Sequence, residues 1–371
     1  MNILVTGANG FAGKNLVSAL KTSDDTILEF DIDNSDEELF SFLNQADIIF
    51  HLAGVNRPQN TDEFNVGNKE LTEKICDYLI STNKQAKIVL SSSIQAELDN
   101  PYGVSKHGAE EAVRQYAVKS ASSVVVYRLK NLFGKWCRPN YNSVTATFCH
   151  NIANNLPIQI SAPENEVDLT YIDDVVIAFK NELSDKLPGF RFAPPLPSRK
   201  ITLGTLSELI YSFNKQRKSL LLPDFSDQFV RNLYGTYLSY LKTDDFSYTL
   251  DIKSDNRGSL AELLKSPYIG QVFISRTLPG ITRGNHYHHT KTEKFMVVQG
   301  KGIIRFRNIN NDEVIEYPVE GSEYKVVDIP PGYTHSIENV GDNEMVTIFW
   351  AVEIFNPEKP DTYFVPVIKA E

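Results

Sequence analysis

The chain has 371 residues, and its 37 Lys and Arg against 47 Asp and Glu give a formal net charge of −10. This length is sufficient for two domains, and the acidic balance argues against a nucleic-acid partner or an anionic membrane surface. No apolar run reaches the length of a membrane span, and the opening MNILVTGANG has no signal-peptide features. We therefore expect a cytoplasmic protein without membrane insertion, whose cysteines (Cys76, Cys137 and Cys149) are free thiols.

A glycine-rich turn follows the first predicted strand. The β-rich run Asn2–Thr6 leads into Gly7, Gly10 and Gly13, and a helical pattern follows. Residues without a Cβ let the backbone turn tightly and approach a phosphate, and the N–H groups at the start of the helix can bind a pyrophosphate. In this strand–turn–helix context the glycines indicate a dinucleotide site, although their spacing is G-x2-G-x2-G rather than G-x-G-x2-G.

The second predicted strand, Thr26–Phe30, ends at Asp31. A carboxylate at this point would accept a hydrogen bond from an adenosine ribose hydroxyl and repel a 2′-phosphate, which favours NADH. An N-cap of the predicted helix near Asp36–Leu43 is an equally good interpretation of Asp31. Arg57, after the next strand, is a cation that could reach a 2′-phosphate instead.

Further along the chain, Ser93, Tyr102 and Lys106 are candidates for acid–base chemistry. The buried strand Lys87–Ser92 leads to Ser93, and Tyr102 and Lys106 follow at i and i+4 of a predicted helix. The phenol and the ammonium therefore lie on one face, where the positive charge favours the phenolate and makes Tyr102 a general acid or base. Ser93 can hydrogen-bond a carbonyl oxygen at the same point.

Together these residues resemble the extended branch of the short-chain dehydrogenase/reductase superfamily, which acts on nucleotide sugars, over roughly residues 1–240. The resemblance implies an α/β Rossmann-type fold with a doubly wound parallel sheet. It implies that Ser93, Tyr102 and Lys106 form the catalytic set. Asn65, in the predicted helix Asp62–Leu79, matches the fourth catalytic member of the family.

The same resemblance assigns cofactor and substrate contacts. The glycines of the turn would carry the pyrophosphate, and Ala53 and Gly54 would lie against the adenosine side of the cofactor. Asn131 stands in a segment similar to the R-x2-N-x2-G stretch, whose Asn borders the nucleotide-sugar site. Shortly after it, Arg138 could bind a diphosphate beside aromatic residues, or its segment could be an ordinary packed loop, and the residues leave both open.

The second half of the chain carries four candidate metal ligands. In the segment Pro279–Gly300, period-two alternation places His286 and His288 on one face of a strand, and Glu293 comes early on the next. His335 comes from a later strand, after a Pro-Pro-Gly turn. Three imidazoles and a carboxylate are a common ligand set for Zn, Fe, Mn or Ni, and we expect a divalent metal, zinc first.

These segments resemble the two signature motifs of the cupin family, G-x5-H-x-H-x4-E-x6-G from Gly280 and P-x-G-x2-H-x3-N from Pro330. The second motif lacks its leading Gly, because Tyr324 stands there, and this departure concerns the turn before the strand. The resemblance implies an all-β cupin jelly-roll barrel with the metal in its mouth. We expect four aromatic residues to fill its core: Tyr317, Tyr324, Tyr333 and Phe349.

The pairing of the two motif sets predicts an NAD(P)-binding reductase domain, residues 1–243, and a metal-binding cupin domain, residues 244–371. It resembles a family of bifunctional capsular-polysaccharide enzymes. In that family the cupin epimerises C3 of a UDP-4-keto-6-deoxy-HexNAc. The reductase then uses NADPH at C4 to give UDP-2-acetamido-2,6-dideoxy-L-talose, a UDP-N-acetyl-L-fucosamine precursor. The resemblance thus implies NADPH as the cofactor, whereas Asp31 favours NADH. Extended reductases often form homodimers, so a homodimer is expected here.

Two other functions stay open. The chain could be a 4-keto sugar reductase whose cupin is only a structural or dimerising module, since four protein ligands nearly close a tetrahedral metal site. It could be a cofactor-sensing regulator, against which the intact catalytic set argues. The sequence does not identify the base of an epimerase, because spacing does not rank the candidates Tyr287, His289, Lys294 and Lys301.

Overall fold

The computed structural model describes residues 1–21, 24–185 and 187–369. Contacts divide the chain into two compact units, the first made of Met1–Tyr211 with Arg231–Lys242 and the second of Ser212–Val230 with Thr243–Glu371. The functional domains 1–243 and 244–371 stay a prediction. The contact units differ from these domains because Ser212–Val230 belongs to the second unit. Among the described helices, none has the length and apolar character needed to cross a membrane.

The first unit is built on a parallel sheet. Its strands, including those of a small side sheet, are β1 (Asn2–Thr6), β2 (Thr26–Phe30), β3 (Ile48–His51), β4 (Lys87–Ser93), β5 (Ser123–Leu129), β6 (Asn131–Phe133), β7 (Glu166–Tyr171), β8 (Gly189–Phe192) and β9 (Arg199–Thr202). Six of them pair in the order β2-β1-β3-β4-β5-β8, all parallel, and β6, β7 and β9 form the side sheet.

Helices cover both faces of the parallel sheet. The described α-helices of the chain are α1 (Phe11–Leu20), α2 (Asp36–Gln45), α3 (Asp62–Phe64), α4 (Leu71–Ser81), α5 (Pro101–Ser120), α6 (Val144–Ala153), α7 (Ile172–Asn181), α8 (Leu203–Ser219) and α9 (Gln228–Leu238), and those on the sheet are α1, α2, α4, α5 and α7. Leu39, Leu79 and Val113 of α2, α4 and α5 are buried on one face, and Leu16 and Phe179 of α1 and α7 on the other. A sheet buried on both faces has near-continuous apolar strands, and the predicted Rossmann-type fold is confirmed.

The start of α2 decides one of the two interpretations of Asp31. The Ser35 hydroxyl accepts from the Glu38 N–H at 3.2 Å, and the Glu38 carboxylate accepts from the Ser35 N–H at 2.8 Å. This capping box satisfies two donors that the helix start leaves unpaired. The N-cap interpretation of Asp31 is therefore wrong, because Ser35 holds that position.

The helix predicted over Asp62–Leu79 is interrupted. Between α3 and α4 the chain forms a π-helical segment, Asn65–Glu70, whose hydrogen bonds join residues five apart instead of four. Periodicity of apolar residues does not reveal such a local bulge, and π-bulges are frequent at functional sites.

The second unit is all-β over its long C-terminal part. Its strands are β10 (Ile252–Asp255), β11 (Gly258–Ser266), β12 (Gly270–Thr277), β13 (Thr282–Tyr287), β14 (Glu293–Gln299), β15 (Lys301–Asn308), β16 (Val314–Glu320), β17 (Val326–Ile329), β18 (Tyr333–Asn339), β19 (Met345–Ala351) and β20 (Tyr363–Phe364). They form two antiparallel sheets, in the orders β10-β11-β12-β19-β14-β17 and β16-β15-β18-β13-β20. The predicted change from an α/β to an all-β architecture is confirmed.

The interior of this β unit differs from the prediction at two aromatic residues. Phe349 is buried and stacks on Phe273, and Tyr333 packs partly buried against the same core. Tyr317 and Tyr324, however, are 42% and 69% exposed. Tyr317 lies on the edge strand β16, and Tyr324 lies in the turn before β17, so neither side chain fills the core.

Candidate active site and metal centre

The N-terminal turn of α5 positions Tyr102. Asn100 caps the helix by accepting from the Gly103 N–H at 2.8 Å, and Pro101 occupies the first turn. The Tyr102 ring packs against Phe64 with centroids 5.5 Å apart, and its hydroxyl interacts with Ser93 at the end of β4. Burial raises the pKa of Tyr102, and Ser93 opposes this effect. The phenol is therefore protonated at neutral pH, which suits a proton donor.

Lys106 is buried one helical turn after Tyr102. Its ammonium donates to the Ser91 carbonyl at 2.7 Å, which fixes it beside the strand that carries Ser93. Burial lowers the pKa of Lys106 to about 8, and the carboxylate of Glu110 partly offsets this. The structure thus brings together Ser93, Tyr102 and Lys106, as the i, i+4 spacing predicts, and their catalytic roles stay a prediction.

The glycine-rich turn is packed too closely for larger side chains. Gly7 has φ +68°, and a Cβ on it would stand 2.7 Å from the Ala53 nitrogen. A Cβ on Gly13 would stand 2.1 Å from the Gly7 carbonyl oxygen. Gly10 begins α1 without a side-chain cap, so the first N–H groups of the helix can bind an anion such as a pyrophosphate. Gly54 lies beside Lys106, where a Cβ would be 3.6 Å from Nζ.

Asp31 follows the last residue of β2, and its side chain contacts this turn. Its carboxylate accepts from the Asn9 N–H at 2.6 Å and from the Ile32 N–H at 2.8 Å. The carboxylate is therefore already bound to the backbone of the glycine-rich turn and to the residue that follows it in the chain.

Two predicted cations converge on one aromatic residue. The Arg57 guanidinium donates to the Tyr141 carbonyl, and the Arg138 guanidinium lies 5.1 Å from the centre of the Tyr141 ring. Asn131 is exposed at the start of β6. Arg57 thus contacts the same segment that carries Arg138. For that segment the sequence leaves two interpretations open, a diphosphate contact and a packed loop.

Asn65 is placed differently from the other predicted catalytic residues. It lies in the π-helical segment and is exposed, and its amide donates to the Glu70 carboxylate at 2.5 Å. The buried asparagine of this segment is Asn68. Its amide donates to Ser105 of α5 at 2.9 Å and to the Val55 carbonyl at 2.9 Å.

Four predicted metal ligands meet in the β unit. One potential ligand atom from each of His286, His288, Glu293 and His335 lies within 4.8 Å of the others. β13 pairs with β18 so that His286 stands opposite His335, while Glu293 begins β14 in the other sheet. Antiparallel pairing thus assembles residues that are up to 49 positions apart in the chain.

The chemistry of this cluster fits a divalent cation. Nδ1 of His288 lies 2.6 Å from the Asp361 carbonyl oxygen and Nδ1 of His335 lies 3.3 Å from the Tyr333 carbonyl oxygen. A ring that donates from Nδ1 to a carbonyl is left with a lone pair on Nε2. Both Nε2 atoms are buried with no hydrogen-bond partner among the described residues, and a Glu293 oxygen lies 3.4 Å from each. Three such electron-rich atoms repel one another unless a cation lies between them.

Electrostatics favours the protonation states in which His286 and Glu293 can bind a metal. Burial and the neighbouring imidazoles lower the pKa of His286 to about 4, so the ring is neutral at pH 7. Burial alone would raise the pKa of Glu293, but its contacts with the imidazoles lower it to about 2. Imidazole nitrogens with an ionised carboxylate form a ligand set that zinc accepts.

The four candidate bases of an epimerase lie elsewhere. Tyr287 and His289 alternate with the ligands and pack against Tyr363, on the opposite side of the strand. Lys294 is paired with Asp328 on the exposed surface. Lys301 is 70% exposed beside Glu320. Proximity in sequence therefore does not bring these side chains to the ligand cluster.

Comparison with known proteins assigns the family. Residues 3–185 match the NAD dependent epimerase/dehydratase family, and residues 253–363 match the Polysaccharide biosynthesis C-terminal domain. UDP-2-acetamido-2,6-beta-L-arabino-hexul-4-ose reductase of Pseudomonas aeruginosa is 44% identical, with 98% of both chains covered. The crystal structure of capsular polysaccharide assembling protein CapF from Staphylococcus aureus matches at TM-score 0.92 and 50% identity, covering 99% of this chain and 100% of that one. The chain belongs to the CapF-like family of sugar-nucleotide reductases in capsular polysaccharide biosynthesis.

Weaker similarity connects the CapF-like chain to another keto-sugar reductase. The dTDP-4-dehydro-6-deoxyglucose reductase of Escherichia coli is 25% identical over 283 residues, which cover 64% of this chain and 88% of that protein.

One buried network of the CapF-like chain has no sequence signature. His51 of β3 is 1% exposed, with Nδ1 2.7 Å from the Thr6 hydroxyl and Nε2 2.9 Å from the Thr72 hydroxyl. Thr72 donates to the Asn68 carbonyl at 2.6 Å, and Thr6 accepts from the Ala53 N–H at 3.2 Å. These directions leave His51 as a donor at Nε2 and an acceptor at Nδ1. The neutral imidazole thus links the predicted cofactor contact to the π-helical segment.

A second network could be anticipated from spacing. Glu110 follows Lys106 by four residues on α5, as Lys106 follows Tyr102, so all three lie on one helix face. Its buried carboxylate accepts from the Ser92 hydroxyl at 2.5 Å and from two guanidinium nitrogens of Arg128 at 2.9 and 2.7 Å. The network supports the strand end next to Ser93.

Proposed function

We propose that this chain is a bifunctional nucleotide-sugar enzyme. Its β unit, as a cupin, epimerises C3 of a UDP-4-keto-6-deoxy-HexNAc. Its Rossmann-type unit then reduces C4 with NADPH to give UDP-2-acetamido-2,6-dideoxy-L-talose, a UDP-N-acetyl-L-fucosamine precursor. The observation that carries the proposal is the convergence of four metal-ligand atoms in a chain that also places Ser93, Tyr102 and Lys106 together. A cytoplasmic homodimer holding zinc is part of the same proposal.

In the reduction, the chain's residues orient the C4 carbonyl and supply a proton. The Ser93 and Tyr102 hydroxyls bind the carbonyl oxygen, and NADPH supplies the hydride when bound. Tyr102 donates its proton to the oxygen as negative charge develops there. The Lys106 ammonium stabilises the phenolate that remains, because it is held within the same buried turn of α5.

In the epimerisation, the C4 carbonyl makes the C3 hydrogen acidic, and loss and return of this proton on opposite faces inverts C3. A divalent cation, when bound, supplies Lewis-acid stabilisation of the negative charge on the enediolate. His286, His288, Glu293 and His335 would hold it. The carbonyls on His288 and His335 fix each ring orientation, and His288, Glu293 and His335 are buried.

The choice of NADPH rests on the family resemblance. Asp31 is tied to Asn9 and Ile32, which supports the view that its carboxylate serves the turn as well as a ribose. A kcat/KM with NADH at least as high as with NADPH would reverse the choice.

The test uses the full chain with zinc, and substitutes Tyr102→Phe. Loss of the phenolic proton should lower the C4 reduction rate by about 10²- to 10⁴-fold. The variant should still exchange the C3 hydrogen of the keto sugar with heavy water at the wild-type rate, followed by proton NMR. Wild-type reduction in Tyr102→Phe would refute the role of Tyr102. C3 exchange no faster than in a protein-free control would refute the epimerase.

A second candidate is a reductase whose barrel is only structural. It is favoured by one observation: the candidate bases Tyr287, His289, Lys294 and Lys301 engage other partners than the ligand cluster. This function predicts that chelation of the metal lowers stability without changing C3 exchange. The bifunctional enzyme predicts that chelation abolishes exchange.

A further inference from the structure

The C-terminal segment of the chain is built onto the strands that carry the histidine ligands. β20 pairs with β13, so that Phe364 stands opposite His286. The next residue, Val365, donates its N–H to the Asn285 carbonyl at 2.9 Å, and its own carbonyl accepts from the Thr334 hydroxyl. The segment is therefore fixed next to the ligand cluster on both β13 and β18.

Within this segment, the Asp361 carboxylate binds the turn that follows His288. It accepts from three consecutive backbone N–H groups, those of His289 at 3.0 Å, Thr290 at 2.9 Å and Lys291 at 3.0 Å. The Thr290 hydroxyl also donates to it at 2.9 Å. A carboxylate with four donors is held in one position, because charge-assisted hydrogen bonds are the stronger ones.

The backbone of Asp361 makes the direct contact with the ligand. Its carbonyl oxygen lies 2.6 Å from Nδ1 of His288, and this contact sets the Nε2 lone pair toward the other ligands. Asp361 has φ +40°, in the left-handed region that costs most residues free energy and that Asp and Asn tolerate better. The side-chain hydrogen bonds therefore hold a strained backbone whose carbonyl orients the ligand.

We propose that Asp361 is a positioning residue of the metal centre: its carboxylate locks residues 289–291 and thereby keeps its own carbonyl oxygen on Nδ1 of His288. The inference rests on the metal centre of the proposed function and is independent of the epimerase reaction. It assigns a task to a residue 73 positions from the ligand that it orients.

The variants separate the carboxylate from the backbone. Asp361→Gly removes the carboxylate, while glycine accepts the positive φ without strain and retains the carbonyl. Asp361→Asn keeps one oxygen and also tolerates this φ. Asp312→Asn is the matched control. Asp312 pairs with Lys369, which lies at the exposed end of the C-terminal segment, and it has no contact with a ligand histidine.

The measurement is the affinity of full-length, metal-free protein for Zn²⁺, by competition with a chromophoric chelator, and the visible spectrum with Co²⁺. We expect Asp361→Gly to bind Zn²⁺ about 10- to 100-fold more weakly than the wild type and to change the Co²⁺ bands, because a misdirected imidazole alters the ligand field. Asp361→Asn should lie between the two, and Asp312→Asn should match the wild type.

Folding is checked by near-UV circular dichroism without metal. A folded Asp361→Gly with wild-type Zn²⁺ affinity and Co²⁺ spectrum would overturn the proposal, even if its melting temperature fell. Where Asp361→Gly does not fold, the same comparison on Asp361→Asn decides. Absence of Zn²⁺ binding by the wild type would remove the metal centre itself, and the inference with it.

Discussion

At the scale of single residues, burial decides what the ionisable groups of the first unit can do. The His51 imidazole is enclosed by two threonine hydroxyls, and burial and the nearby Lys106 ammonium lower its pKa to about 3. It is neutral wherever the protein is folded at ordinary pH. It therefore acts as a fixed hydrogen-bond link rather than as a proton carrier.

The lowered pKa of His51 predicts that the stability of the folded chain depends on pH. Between pH 6.5 and 3 the unfolded chain binds a proton at His51 that the folded chain does not, so stability is lost as the pH falls. His51→Gln should cost about 1–3 kcal/mol at pH 7 through lost buried hydrogen bonds. That deficit should shrink by about 2 kcal/mol at pH 5, because the variant no longer has the titrating group.

Urea unfolding followed by circular dichroism at pH 7 and pH 5 measures this difference. His107→Gln is the control, because the His107 ring is 66% exposed and should cost little at either pH. A deficit of His51→Gln that stays constant between the two pH values would contradict the assignment of a neutral His51.

At the scale of elements, one turn carries strain that its sequence makes visible. Tyr324 replaces the glycine of the cupin motif and has φ +48° in the turn before β17. The turn itself is kept, and the strand that carries His335 follows in register. The departure from the motif thus changes the free energy of the turn and leaves the predicted metal ligand His335 in place.

Tyr324→Gly should therefore raise the free energy of unfolding by about 0.5–1 kcal/mol, since relief of left-handed strain exceeds the entropy that glycine adds to the unfolded chain. The side chain is 69% exposed, so little packing is lost. Tyr324→Ala, which keeps the strain, is the control and should give no gain. Equal thermal midpoints for the glycine variant and the wild type would show that the relief of strain does not exceed the entropy that glycine adds to the unfolded chain.

Helix α5 shows how one element organises a site. Tyr102, Lys106 and Glu110 stand at four-residue intervals, so a single face carries the predicted proton donor, the neighbouring ammonium and a buried carboxylate. Glu110 joins this face to β5 through Arg128. A rigid helix face thus fixes three groups that a loop would hold less accurately.

At the scale of the whole molecule, the order of the two proposed reactions has a chemical signature. Only the 4-keto sugar has an acidic C3 hydrogen, so epimerisation has to precede reduction. Complete turnover by the wild type in heavy water with ordinary NADPH should give a product with deuterium at C3 and hydrogen at C4, read by proton NMR and mass spectrometry. A product without deuterium at C3 would exclude the epimerisation and support the one-activity reductase.

The sequence was sufficient for features that depend on local spacing. The order of strand, turn and helix around Gly7, the i, i+4 pair of Tyr102 and Lys106, and the alternation of His286 and His288 all predicted neighbours that the structure brings together. Such relations follow from the fixed rise and period of helices and strands.

Only the tertiary structure decided the relations between distant segments. The partners of His51, the engagement of the four candidate bases away from the ligands, and the contact of Asp361 with His288 come from sheet pairing and packing, which no local period encodes. The exposure of Tyr317 and Tyr324 has the same cause, because composition identifies an aromatic residue without showing whether it lies in the core, on an edge strand or in a turn. Residue spacing thus determined the two chemistries predicted for this protein, and long-range packing decided how the predicted ligands and the predicted proton donor are held.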